Sequence, residues 1–129
     1  MTTQISVFSV GFCAIGGALG AISRMLIAVF VASFKPDFPY ATLLINVLGC
    51  FVLGLLIPLA FEKAVLSPNL QALLMIGFLG AFTTFSAFTY ESYQLLKYGA
   101  YFTWALNIAA NILLCLAAFA LAMKISYQL

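Results

Sequence analysis

The feature that most constrains this chain is the recurrence of four long apolar stretches, residues 5–34, 41–61, 70–96 and 100–123, separated by a few polar residues each. Each approaches or exceeds the roughly 20 residues an α-helix needs to cross a hydrocarbon core of about 30 Å. The breaks between them carry charge with Pro or Gly: Lys35-Pro36-Asp37-Phe38-Pro39, then Glu62-Lys63 through Ser67-Pro68-Asn69, then Lys97-Tyr98-Gly99. Such punctuation ends helices and starts turns. Composition agrees, since 66% of the 129 residues are hydrophobic and only 6% are charged, whereas a soluble chain is about a quarter charged. The expected architecture is a single all-α, multi-pass domain over residues 1–129, with lipid as its solvent. The N-terminal Met1-Thr2-Thr3-Gln4 lacks the basic start of a signal peptide, so the first apolar run is read as a retained helix.

The same composition excludes much chemistry. There is no His, and Cys13, Cys50 and Cys115 lie far apart in apolar runs, which removes imidazole bases, zinc-ligand spacings and a disulfide framework. No nucleophile has an adjacent base, so an enzyme is not expected. A net charge of +2 without a basic cluster points to neither nucleic acid nor an anionic membrane surface. Transport across the membrane is the leading class.

Four crossings place Lys63 and Lys124 on one face and Lys35, Lys97 and, if it lies near that end, Arg24 on the other. Because Lys/Arg asymmetry sets orientation, this near-tie suggests insertion in both directions, unless a small bias or a partner protein decides. Four short helices also make a poor pore alone, so self-association is expected. Gly16 and Gly20 form a GxxxG pair that serves close packing either within one subunit or between two.

Polar residues inside the spans are few, and each must find a partner or line a wet path. Thr42, Asn46 and Cys50 follow at i+4 spacing on the second helix, and Thr103, Asn107, Asn111 and Cys115 do so on the fourth. These stripes are either interhelical hydrogen-bonding contacts or a pathway, and the lone Cys residues read as small apolar ones. The third span places Gly77, Gly80, Thr83, Thr84, Ser86 and Thr89 together, a pattern that predicts a helix broken mid-membrane, with freed carbonyls suited to an ion at Gly80 and Thr83. Phe85 and Phe88 share a face beyond it, either packing against neighbours or bordering a path. Arg24 can concentrate anions or snorkel to headgroups. Glu91 can carry protons, anchor a hydrogen bond or stay wet near the interface.

Three segments taken together, Gly16-Gly17-Ala18-Leu19-Gly20-Ala21-Ile22-Ser23-Arg24, Ala41-Thr42-Leu43-Leu44-Ile45-Asn46-Val47-Leu48-Gly49-Cys50-Phe51 and Gly77 through Phe88 with its Thr83-Thr84-Phe85-Ser86-Ala87-Phe88 core, resemble the Fluc (CrcB) family of fluoride channels. The resemblance runs over the whole chain in length, helix count and motif order. It implies an antiparallel, dual-topology homodimer in a prokaryotic inner membrane, with two pathways that let fluoride leave the cell and protect it. It further implies a structural sodium ion on the dyad, held by backbone carbonyls of Gly80 and Thr83. Phe85 and Phe88 fall on the family's fluoride-facing phenylalanines, Asn46 on its pore-lining amide and Arg24 on its helix-one arginine, with Thr42, Ser86, Glu91 and Asn107 as further pathway positions. Ala87 departs from the frequent Thr of that motif, and Phe82 stands where smaller residues are common.

Two other readings compete. A proton-coupled exporter of the small multidrug resistance type has similar length and helix number and would use Glu91 as its coupling carboxylate, but those transporters place that group in the first helix, where this chain has none. An assembly subunit of a larger complex would explain the small-residue helices and leave the polar break without a purpose.

Overall fold

The computed structural model describes residues 7–129, so the reading of Met1 to Gln4 and the expected start of the first span at Ile5 lie outside the described residues. Among those described, all regular structure is helical. The elements are α1 (Val7–Ala32), α2 (Tyr40–Phe61), α3 (Pro68–Gln71), a π-helical stretch (Ala72–Leu79), α4 (Gly80–Phe82), α5 (Phe85–Lys97) and α6 (Tyr101–Gln128). Four helical runs are long and apolar enough to cross a membrane: Val7–Ala32, Tyr40–Phe61, Pro68–Lys97 and Tyr101–Gln128.

Burial is inverted relative to a water-soluble protein. Thr42, Thr84, Ser92, Asn107, Asn111 and Ser126 are buried, while Phe8, Leu26, Phe30, Phe85 and Leu113 stand exposed. In water that distribution would strand apolar surface and hide polar groups. In lipid it is the stable one, since hydrocarbon accepts the apolar exterior and buried polar groups bond to one another. The chain is an integral membrane protein.

Helix ends depart from the hydropathy reading where local chemistry overrides it. The first helix closes at Ala32, two residues before the expected end, because Lys35 adopts a left-handed φ of 48° and turns the chain. The third span starts at Pro68, where Ser67 caps it by accepting from the Leu70 N–H at 3.3 Å. Proline is favoured at a first helical position because its missing donor would be unpaired there anyway. The last helix runs five residues past Met123, through Lys124, because Ser126 is fully buried and donates to the Leu55 carbonyl at 2.8 Å.

Two helix pairs build the bundle. α1 packs along α3, the π stretch and α4, and α2 packs along α6. The first contact is backbone on backbone: a Cβ at Gly16 would lie 2.0 Å from the Leu73 oxygen, and one at Gly20 2.2 Å from the Phe78 oxygen. Only hydrogen fits at either position. The GxxxG pair therefore serves packing within the subunit. Ser9 donates to Asn69 at 2.9 Å, and Lys63 reaches the Ser126 carbonyl at 3.2 Å. The start of α1, the turn before α3 and the end of α6 thus share one end of the bundle.

Candidate functional site

The site forms where helical winding lapses in the third span. Thr83 (φ −74°, ψ 155°) and Thr84 (φ −150°, ψ 113°) are extended between α4 and α5. Two extended residues interrupt the i to i−4 ladder, so backbone groups on both sides need other partners. Thr84 supplies one as the N-cap of α5, its Oγ1 accepting from the Ala87 N–H at 3.1 Å. Ala87 contributes through its backbone there, so the absence of a hydroxyl at that position leaves the cap intact.

Asn46 on α2 supplies two more. Its Oδ1 accepts from the Thr84 N–H at 2.9 Å, while its Nδ2 donates to the Thr84 carbonyl at 3.2 Å. One amide thus holds both backbone groups of a residue in the gap. The second Nδ2 proton goes to Asn111 Oδ1 on α6 at 3.2 Å. Asn111 donates to Asn107 Oδ1 at 3.0 Å and to the Asn107 carbonyl at 3.1 Å, and Asn107 donates to Ser92 Oγ at 3.0 Å. Thr84, Asn46, Asn111, Asn107 and Ser92 form one donor-to-acceptor line with all amide dipoles in the same sense. Aligned bonds of this kind polarise and strengthen each other. The line ties the N-cap and the middle of α5 to the last helix.

Beside it lies an open groove of about 500 Å³, whose wall includes Asn46, Gly80, Thr83, Thr84, Phe85 and Phe88. Five sequence-derived site residues meet here: Asn46, Gly80, Thr83, Phe85 and Phe88. The two phenyl rings sit 5.4 Å apart at 49°, yet they differ in exposure, Phe85 at 78% and Phe88 at 9%. Gly80 faces open space, the nearest atom to a hypothetical Cβ being 4.0 Å away. Thr83 Oγ1 donates to the Leu79 carbonyl at 2.9 Å, and its methyl fills the space left by Gly49, where a Cβ would lie 2.1 Å away. Ser86 Oγ shares a hydrogen bond with Thr84 Oγ1 at 3.2 Å.

The other site residues lie apart from the groove. Thr42, one turn before Asn46, donates to Glu91 Oε1 at 2.7 Å, and Glu91 Oε2 is buried without a partner. Glu91 also borders a second hollow of about 530 Å³ near Lys35, Asp37 and Tyr98. Asn107 is fully buried and meets the groove only through Asn111. Arg24 is half-buried on α1, lines neither hollow and makes no ion pair among the described residues. Among those residues no three or more His, Cys, Asp or Glu cluster, so the oxygens able to meet a hard cation in the gap are backbone carbonyls and hydroxyls.

Sequence reasoning missed two features. Thr84 and Asn111 are the partners of Asn46, but their bonds depend on helix register that spacing alone does not give. The π winding of Ala72–Leu79 leads into the gap and is a departure that concentrates at functional sites.

Comparison with known proteins covers the whole of this assembly. A model of the family described as CrcB-like protein, camphor resistance (CrcB), matches residues 11–123. The chain belongs to the CrcB family. It is 48% identical over 114 residues to the fluoride-specific ion channel FluC of Campylobacter lari, covering 88% of this chain and 90% of that one. A protein of the same name from Vibrio parahaemolyticus is 46% identical over 110 residues, 84% and 86% of the two chains. One from Dehalococcoides mccartyi is 50% identical over 102 residues, 78% of each. The matched residues include the interrupted third span, the amide line and both phenylalanines.

Proposed function

We infer that this CrcB protein is a passive, fluoride-selective channel, and that it works as an antiparallel homodimer with one pathway along each groove. The observation that carries the reading is near-full-length similarity, at 44–50% identity, to proteins named fluoride-specific ion channels. The geometry supports it. Fluoride is small and strongly hydrated, so a narrow pore must replace its water with donors. The groove offers the Asn46 amide and the hydroxyls of Thr83, Thr84 and nearby Ser86, set beside Phe85 and Phe88. A phenyl ring presents a positive edge and a negative face, so the rings greet an anion edge-on. That contact is weak, which favours transit over capture.

Both Asn46 donors are engaged, one with a backbone carbonyl and one with another amide. An arriving fluoride would compete for an N–H already aimed and held, and the released acceptor would return when the ion moves on. Exchange between nearly equal partners keeps the site from becoming a trap. Thr42, Glu91, Asn107 and Arg24 would act around this centre: Arg24 as unpaired positive charge at an entrance, Asn107 by fixing the amide line, Thr42 and Glu91 at the mouth of the second hollow.

A second copy explains features that one bundle leaves open. The groove is unroofed, and the Lys/Arg balance across the two ends favours insertion both ways round. Carbonyls of Gly80 and Thr83 suit a hard cation such as sodium; a single chain offers few, and a two-fold partner doubles them. A sodium ion there would offset the repulsion of converging oxygens and lend positive potential to both pathways. In a bacterial inner membrane with a negative interior, such a pore lets fluoride leave and lowers its toxicity. The chain catalyses no reaction. The exporter reading loses its ground, because the chain's relatives are channels by name. The test is fluoride efflux from liposomes holding only this protein, run with sodium and with a large organic cation in its place. Efflux that survives complete sodium removal from the purified dimer would overturn the sodium role while leaving the channel reading standing.

A further inference from the structure

Cys50 and Cys115 take no part in the amide line, yet the helix register brings them together. α2 and α6 run side by side, and the Asn46 to Asn111 hydrogen bond at 3.2 Å fixes their register there at an offset of 65 residues. One turn onward in both helices stand Cys50 and Cys115. A further turn on, at the same offset, a Cβ at Gly54 would lie 2.6 Å from the Phe119 oxygen and 2.9 Å from the Ala122 Cβ. The cysteine pair is therefore bracketed by two direct contacts between the helices. Both residues border the groove, and their thiols interact. All three cysteines are free, and Cys13, on α1, does not line the groove.

We propose that Cys50 and Cys115 form a two-coordinate site for a soft, thiophilic cation of the mercury(II), silver(I) or copper(I) class, inside the groove wall. Thiolates select such ions over the hard cations that carbonyls hold. Binding is a ligand exchange: each thiol gives up its proton to water, two sulfur–metal bonds form, and the metal keeps its oxidation state. No oxidant is required. The bound ion would pin α2 to α6 one turn from the Asn46–Asn111 bond and add bulk beside the gap at Thr83 and Thr84; with both thiolates the mercury(II) adduct is neutral, and a silver(I) or copper(I) adduct carries one negative charge. The site is a lock on the helix pair that carries the amide line. Its effect on fluoride rests on the channel reading above; its binding does not.

The experiment titrates the purified full-length protein with mercury(II) in chloride-free buffer, reading the thiolate charge-transfer absorbance and the intact mass. The expected result is one mercury per chain, with the loss of two protons, retained against a monothiol competitor in the native protein and in Cys13→Ser. Cys50→Ser and Cys115→Ser should each lose retention, and Cys50→Ala and Cys115→Ala serve if a serine variant fails to elute as a folded dimer. Retention in either single variant, or its loss in Cys13→Ser, overturns the site. An initial mass lower by two hydrogens, restored by reductant, would identify a disulfide and overturn the cation reading. In liposomes, mercury should abolish fluoride efflux from the native protein and Cys13→Ser and spare the other two variants. Native protein that moves no fluoride at all would sink the channel reading, while the absorbance and mass still decide the site.

Discussion

Asn46→Asp is the sharpest perturbation of the site, because it exchanges one atom of the side chain and preserves its shape. In the structure Asn46 accepts once from Thr84 N–H and donates twice, to the Thr84 carbonyl and to Asn111. The aspartate keeps the acceptance and turns both 3.2 Å donations into contacts between oxygens. Each lost bond with its orphaned partner costs about 1–3 kcal/mol. An ionised carboxylate about 4 Å from a passing fluoride adds about 4 kcal/mol of repulsion at an effective dielectric of 20, equivalent to roughly a thousandfold in rate. Fluoride efflux should therefore fall by about three orders of magnitude at neutral pH, with the protein still eluting as folded. The sign of the pH effect follows. A protonated carboxyl regains one donor and sheds its charge, so flux should recover as pH falls, after subtracting hydrogen fluoride leak through protein-free liposomes. Undiminished flux at neutral pH would show that Asn46 does not face the anion path.

Phe85→Ile and Phe88→Ile should both depress fluoride flux by removing a ring edge, and their stabilities should separate. Phe85 is 78% exposed and Phe88 only 9%, so thermal unfolding in detergent should shift little for the first and by about 1–3 kcal/mol for the second; normal flux in both would end the edge-on role. Asn111→Leu deletes the middle of the amide line and leaves an Asn46 N–H and Asn107 Oδ1 unpaired. Its unfolding should come about 2–4 kcal/mol easier, and a change below measurement error would mean the line carries no strength. Gly16→Ala drives a methyl to within 2.0 Å of the Leu73 carbonyl, whereas Gly11 faces nothing within 4 Å. The first should cost about 3 kcal/mol or more and Gly11→Ala should be silent; equal yields and melting temperatures would contradict the packing of α1 on the third span.

How much of this was legible in the sequence follows from range. Hydropathy is local, so four apolar runs announced four crossing helices. It failed at Lys124, which reads as an exit from the membrane, because the reason the helix continues is Ser126 reaching Leu55, 71 residues away. The i+4 stripes of Asn46 and of Asn107 with Asn111 were visible as faces, but whether they were glue or pathway depended on a register between helices that neither stripe contains. The structure makes them bond to each other, which is the interhelical reading, and leaves Asn46 on the groove wall. The π winding of Ala72–Leu79 had no local signal, since its run of Leu, Met, Ile and Phe reads as ordinary helix. Opposite it, Gly16 and Gly20 admit the Leu73 and Phe78 carbonyls, a contact between elements that no local signal records.

The most direct test of the central claim is ion efflux from liposomes reconstituted with the purified protein alone, followed with fluoride- and chloride-selective electrodes while valinomycin and potassium balance charge. Rapid fluoride release without chloride release, and without any imposed proton gradient, is the expected result. Folded dimers that release no fluoride, or that release chloride equally well, would contradict a fluoride-selective channel.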